Sequence, residues 1–176
     1  TGGFEDPFAS IAPAVAAAVD GDTIVLQQGI YNAVDNMPID PAGKAVKIRS
    51  SDPDDAGVVA NTVLDGNGTG PYFEFESGEV GCVVEGLTVA NCWSEEKGGA
   101  VFCTNGSSPV FRRCVFISNS CQNYGGAIFS TWGGQCFAEF VECRFVANSA
   151  FSGGAAEIWD GSTRFENCSF TGNRAE

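Results

Sequence analysis

The chain has 176 residues, with 22 acidic against 9 basic, a formal net charge of −13, 14 Phe, 23 Gly, 8 Cys and no His. That length suits one domain with a real core, and the dominance of Phe over Leu and Met favours strands over helices. The charge leaves no basic stripe for phosphates, so nucleic acid is set aside; acidic polysaccharides would be repelled unless calcium bridged them, and no stretch is long enough to insert in a membrane.

Thr1 is not a natural start and no signal peptide precedes it, so the chain reads as a mature or excised piece. Gly2-Gly3-Phe4 is a flexible lead. Residues 7–19 then place Phe8, Ile11, Ala12, Val15 and Val19 at helical spacing, with Ser10 as a candidate cap and Asp20-Gly21-Asp22 as the stop. This helix carries no Lys or Arg, which argues against a membrane-surface role. Its expected task is to cover the first coil of a strand-built body, so residues 1–22 form a lead and cap and residues 23–176 the body.

Short alternating strands come next, at 23–26, 30–31, 37–40 and 45–49. Residues 51–57 (Ser-Asp-Pro-Asp-Asp-Ala-Gly) form an acidic loop. Calcium ligation is one reading, but the spacing is not that of an EF-hand loop, and a solvated turn is the simpler expectation. Residues 63–65 and 72–75 complete a coil. Residues 82–91 then enter a repeat register, with Val84, Leu87 and Val89 where later coils have Phe, Cys and Phe.

From Gly98 to Asn173 the chain says nearly the same thing three times. Gly98-Gly99-Ala100, Gly125-Gly126-Ala127 and Gly153-Gly154-Ala155 alternate with Phe116-x-x-Asn119, Phe145-x-x-Asn148 and Phe170-x-x-Asn173. Cys114, Cys143 and Cys168 precede each Phe by two places, and Phe111, Phe140 and Phe165 lie three places earlier still. The period is roughly 25–29 residues, the range of solenoids. Coils stacked in parallel register put equivalent residues about 4.8 Å apart, so only side chains compatible with themselves persist inside. Phe, Cys, Ala and Asn ladders all qualify, and the double glycines suit tight corners. The expected fold is an all-β, right-handed parallel β-helix of about five to six coils with an N-terminal capping α-helix.

These columns resemble the repeats of chlamydial polymorphic outer-membrane proteins and of the parallel β-helix (pectin-lyase-like) proteins of bacterial surfaces, planctomycetes especially. Asp65-Gly66-Asn67-Gly68 and the run 85–91 are similar to the first coils of such proteins. The resemblance implies a fold and does not select among adhesins, wall proteins and polysaccharide-cleaving enzymes. Lyases of this fold use Lys or Arg as base with acidic calcium ligands, which makes Arg112 and Arg113 the catalytic alternative. Register offers a simpler role: Arg112 falls over Glu85 and Arg113 under Glu142, as pairs bracing the stack. With no His, and no nucleophile–base pair, no catalytic residue is assigned.

Eight cysteines without Cys-x-x-Cys or His make a metal site an unattractive reading, and an oxidising compartment with some disulfides the expected one. Cys114, Cys143 and Cys168 read as a ladder of apolar thiols. Cys92 and Cys121, just after Asn91 and Asn119, are the disulfide candidates; Cys82, Cys103 and Cys136 stay unassigned. Trp93, Tyr124, Trp132 and Trp159 fall in or beside turns, where they either pack over loop bases or form a glycan-stacking edge. Asn67-Gly68-Thr69, Asn105-Gly106-Ser107 and Asn167-Cys168-Ser169 match the N-glycosylation acceptor, a short pattern that is set aside for a chain resembling bacterial proteins. After Asn173 the chain stops without a cap, which points to a longer surface protein or to end-to-end stacking into a filament. The expected function is a non-catalytic, secreted or cell-surface structural or adhesive element, partnered by itself or by the rest of a longer protein. The alternative is a polysaccharide-active enzyme or glycan-binding module. No cofactor is expected, with calcium as the one candidate.

Overall fold

Strands of two to six residues bounded by left-handed corners have no room to fold back on their chain neighbours. Each pairs instead with its equivalent one turn later. The computed structural model, which describes residues 2–3, 5–130 and 135–176, is built in this way throughout. The turns between residues 80 and 158 cross four parallel sheets, and the turns at either end cross fewer. The first holds Thr23–Leu26, Lys47–Ser50, Val80–Glu85, Ser108–Arg112, Glu139–Val141 and Arg164–Glu166. The second holds Gly29–Asn32, Thr62–Asp65, Thr88–Ala90, Val115–Ile117, Arg144–Val146 and Ser169–Thr171. A third runs from Trp93–Ser94 through Ser120–Cys121 and Ser149–Ala150 to Arg174–Ala175. The fourth runs from Phe73–Phe75 through Val101–Cys103 and Ile128–Ser130 to Ala156–Ile158. The result is a parallel β-solenoid of about five turns.

Register places the repeated residues in inward columns. Phe111, Phe140 and Phe165 stack at 5.0 and 5.2 Å between ring centroids, with Val84 beneath them. Phe116, Phe145 and Phe170 stack at 5.0 and 4.7 Å, with Val89 beneath. The two columns meet edge to face across the core, as at Phe116 and Phe140 (5.9 Å), the arrangement ring quadrupoles favour. Val84 and Val89 thus stand where the repeat pattern predicts them.

The corners are made by two devices. Between the first and second sheets, Gly86, Arg113, Glu142 and Asn167 share left-handed φ values of 50–65°; between the second and third, Asn91, Ser118, Ala147 and Gly172 do so at 52–65°. The double glycines serve the turn into the fourth sheet. Gly125 has φ +63°, and an added Cβ there would collide with the Ile128 carbonyl oxygen, as one at Gly126 would with the Gly154 carbonyl oxygen. Both positions need the missing side chain, and the first needs the left-handed conformation as well.

The capping helix, α1, spans Ile11–Ala17, shorter than the 7–19 pattern. Ser10 occupies the N-cap position without a side-chain bond; Asn36 Oδ1 accepts from Ile11 N instead, at 2.7 Å. Ile11, Ala14 and Val15 are buried against the first turn, while Phe8 and Val19 lie outside the helix and are exposed. Val19 N is held by Asp22 Oδ2 (2.9 Å), which stops the helix before Val19 can join the buried face.

The acidic loop ends in a second helix, α2 (Ala56–Asn61), that the sequence pattern does not reveal. Asp55 Oδ1 accepts from Gly57 N (2.7 Å) and Val58 N (3.1 Å), and so caps it. Val59 packs on the outer face of the second sheet, and Thr88 Oγ1 donates to the Val59 carbonyl (2.9 Å).

Candidate functional site

Asn119, Asn148 and Asn173 form the ladder their spacing implies. Asn148 Oδ1 accepts from Asn119 N (3.0 Å) and Nδ2 (3.1 Å), and Asn148 Nδ2 donates to the Phe116 carbonyl (3.0 Å) and to Asn173 Oδ1 (2.9 Å). Cys114, Cys143 and Cys168 stack likewise, each Sγ meeting a carbonyl of the turn before: Val84, Phe111 and Phe140. Contact with the Cys114 thiol, and then burial, push the Cys143 thiol up; contact with Cys143, and then burial, do the same to Cys168. Burial also raises Cys82 and Cys92 to about 12. Raised folded values give stability that is full below the unfolded thiol range and lost above it. Alkaline titration is therefore expected to lower the urea midpoint progressively between about pH 9 and pH 12, with Cys82→Ala and Cys92→Ala each flattening the decline.

The disulfide candidates are corrected. Cys103 bonds Cys136, while Cys92 and Cys121 are buried free thiols. Ser120 pairs with Trp93 and Cys121 with Ser94, so Cys92 stands in the asparagine column, not beside it. Its N–H donates to Asn119 Oδ1 at 3.0 Å, as Asn119 N does to Asn148. A one-residue difference in register puts Cys92 and Cys121 two columns apart.

The charged pairs are partly as expected. Arg112 does neighbour Glu85 in register, but the carboxylate is held by Lys47 (2.6 Å) and by Arg113. The left-handed corner at Arg113 carries its side chain back over Glu85, and the same guanidinium lies 3.2 Å from Asp54 and 3.6 Å from Glu142. Asp54, Arg113 and Glu142 rim a groove of about 460 Å³ between α2 and the second sheet, floored by Val115, Ile117 and Val146. Lys97 joins Glu74 and Glu76 (3.2 and 2.8 Å), and Arg164 joins Glu139 (3.2 Å), again linking turns. Glu85 is buried, so Arg113→Ala is expected to cost about 1–2 kcal/mol in urea unfolding, with Lys47 limiting the loss.

Among the described residues, Tyr124 and Trp159 meet. They are 4.5 Å apart, both against Phe129 (5.2 and 5.1 Å), and they cover the outward Phe102–Phe129 column of the fourth sheet. Trp159 Nε1 donates to Glu157 Oε1 (3.0 Å), and Trp159 keeps 37 % exposure. Phe151, 67 % exposed, adjoins Ser152, whose backbone bridges Tyr124; the repeat pattern gave no reason to single it out. Trp93 is separate, on the outer face of the third sheet in the column of Ser120, Ser149 and Arg174. Trp132 lies outside the described residues.

Among the described residues no group of three or more His, Cys, Asp or Glu is placed to hold a metal ion. No helix there is long and apolar enough to cross a membrane. Comparison with characterised proteins and with solved structures gave no match. A family profile did: the one described as a right-handed beta helix region matches residues 15–175. With stacked parallel turns, inward ladders and a profile match over nearly its whole length, this chain belongs to the right-handed β-helix family.

Proposed function

We propose that the protein is a non-catalytic, secreted or cell-surface structural element that acts through its faces and by stacking. One observation carries this reading: Arg113, one of the two candidate bases, and the acidic groups around it are engaged with one another between turns. Lys47, Glu85, Arg113 and Glu142 form one brace, and Lys97 with Glu74 and Glu76 another. The stacking partner is a further turn of the same kind, supplied by a second copy or by a longer surface protein. Phe170, 49 % exposed, and Asn173 offer such a turn the columns that Phe145 and Asn148 offer one turn earlier. The test is incubation with acidic polysaccharides and calcium, alongside light scattering and negative-stain microscopy over a concentration series. The expected result is no cleavage, and particle mass that rises with concentration and falls in Phe170→Asp. Calcium-dependent cleavage that Arg113→Ala abolishes without unfolding would instead establish the enzyme.

A glycan-binding module is the second reading, favoured by the Tyr124–Trp159 pair with Phe151 beside it. Rings partly open to solvent stack on the C–H faces of sugars, and Glu157 at the Trp159 indole supplies a polar neighbour. On this reading Trp159→Ala lowers affinity in a neutral-glycan screen at least tenfold, and unchanged binding would remove the ledge from consideration.

A further inference from the structure

We propose that Asn67 carries an N-linked glycan whose first sugar ring seats in the hollow beside it; this rests on the extracellular reading above and takes up, at this one position, the acceptor pattern that only the resemblance to bacterial proteins had set aside. Three observations converge on that residue. Asn67-Gly68-Thr69 has the acceptor pattern, with a hydroxyl two places after the asparagine. Asn67 sits exposed at a left-handed corner (φ 48°), its backbone N–H fixed by Asp65 Oδ1 at 2.9 Å, and among the described residues its side-chain amide makes no hydrogen bond. The amide is therefore presented outward on a rigid turn.

The third observation is the hollow itself. It measures about 380 Å³, Asn67 lies on its lip, and its lining is Val34, Met37, Pro38 and Pro71 with Thr69 and Glu74. Val34 is 89 % exposed, an aliphatic side chain held in water beside a recess that mixes apolar side chains with Thr69 and Glu74. A pyranose ring has the matching character: a C–H face for Val34 and Pro38, and hydroxyl and N-acetyl groups for Glu74. Its tether length puts that ring against whatever adjoins the acceptor amide. The other two acceptor patterns lack this setting. Asn105 Nδ2 donates to the Glu76 carbonyl (2.8 Å) and Ser107 is buried against Glu79, while Asn167 stands on the bare corner between the first and second sheets.

The modification needs a lipid-diphosphate-linked oligosaccharide as donor. The Asn67 amide nitrogen forms a bond to C1 of the first sugar, and the C1–O bond to the diphosphate breaks. The lipid diphosphate leaves with the electron pair, and the amide gives up one proton to the transferase. Nδ2 keeps its second hydrogen, and no bond of the folded turn is lost.

The test is expression of the full chain through a eukaryotic secretory route, with peptide mass spectrometry and thermal melting. Glycan is expected at Asn67, and both Asn67→Gln and Thr69→Ala abolish it. The chain trimmed to one sugar is expected to melt about 2–4 °C above the same chain made with donor synthesis blocked. Val34→Asp should erase that difference without preventing modification. An unmodified Asn67, or a modified one whose single-sugar form melts no higher, overturns the proposal. The same digest reports the redox state of Cys103 and Cys136, so a reduced pair would count against the extracellular reading and leave the glycan result standing by itself.

Discussion

Asn148→Ala is expected to destabilise the protein by about 3–5 kcal/mol, more than its small volume suggests, because two or three buried polar groups lose their partners at ~1–3 kcal/mol each. Asn148 is fully buried in the middle of its column. Its Oδ1 takes both Asn119 N and Asn119 Nδ2, and its Nδ2 serves the Phe116 carbonyl and Asn173 Oδ1. The left-handed residue before it, Ala147, turns the chain, so the amide holds a corner as well as a ladder. Urea unfolding measures the loss. Asn173→Ala is the internal comparison: Asn173 is half-buried at the end of the column, so water can replace part of what it gives Asn148 and the Phe145 carbonyl, and a smaller loss of about 1–2 kcal/mol is expected. Equal losses at the two positions would mean that position in the stack does not matter and that the column is not the source of stability.

The same column explains what the sequence does and does not disclose. Within a strand the alternation of inward and outward residues is strict, and a repeated Phe or Asn marks its column wherever it recurs. Phe111, Phe140 and Phe165, and Phe116, Phe145 and Phe170, were legible for that reason, and so was the substitution of Val84 and Val89 below them. Register across corners was not, because corner lengths vary. The spacing down the asparagine column is 27, then 29, then 25 residues. A shift of one residue is invisible where the column changes chemistry, as it does from Asn119 to Cys92, and the disulfide candidates failed there. Glu85 shows a second limit. Register gives its neighbour as Arg112, but a left-handed corner redirects Arg113 onto it, and φ at a non-glycine residue is not written in the repeat. The helix α2 was hidden for a third reason: at six residues it has too few turns to display a period, and its Asp55 cap, the burial of Val59 and the contact with Thr88 hold it. Of the candidate surfaces, the meeting of Tyr124 with Trp159 depended on how far the chain travels between the third and fourth sheets, which spacing alone does not set.

Reduction of the disulfide should have the second large effect. Cys103 and Cys136 are 33 residues apart, and in the chain-entropy account closing a loop of that size removes roughly 3.7 kcal/mol of unfolded-state entropy at 25 °C. Both cysteines are fully buried, so reductant added to the folded protein should do little until the solenoid opens. Unfolding the wild type in urea with and without reductant is expected to show the full difference, together with a larger m-value for the reduced form, whose denatured chain exposes more surface. Cys103→Ala/Cys136→Ala should be insensitive to reductant, whereas Cys92→Ala/Cys121→Ala should respond as the wild type does. The opposite pattern would return the bond to the asparagine-column cysteine and break the register on which the whole stack depends. The location of the staple gives the result a structural meaning. Cys103 ends a strand of the fourth sheet, and Cys136 lies one turn on, bridged in turn to Gly161. The bond joins successive turns where the chain leaves the fourth sheet for the first, a connection outside the phenylalanine and asparagine ladders. Covalent closure there complements the ladders: they hold turns together through like side chains, and the disulfide holds a stretch where the repeat has no like side chains to stack.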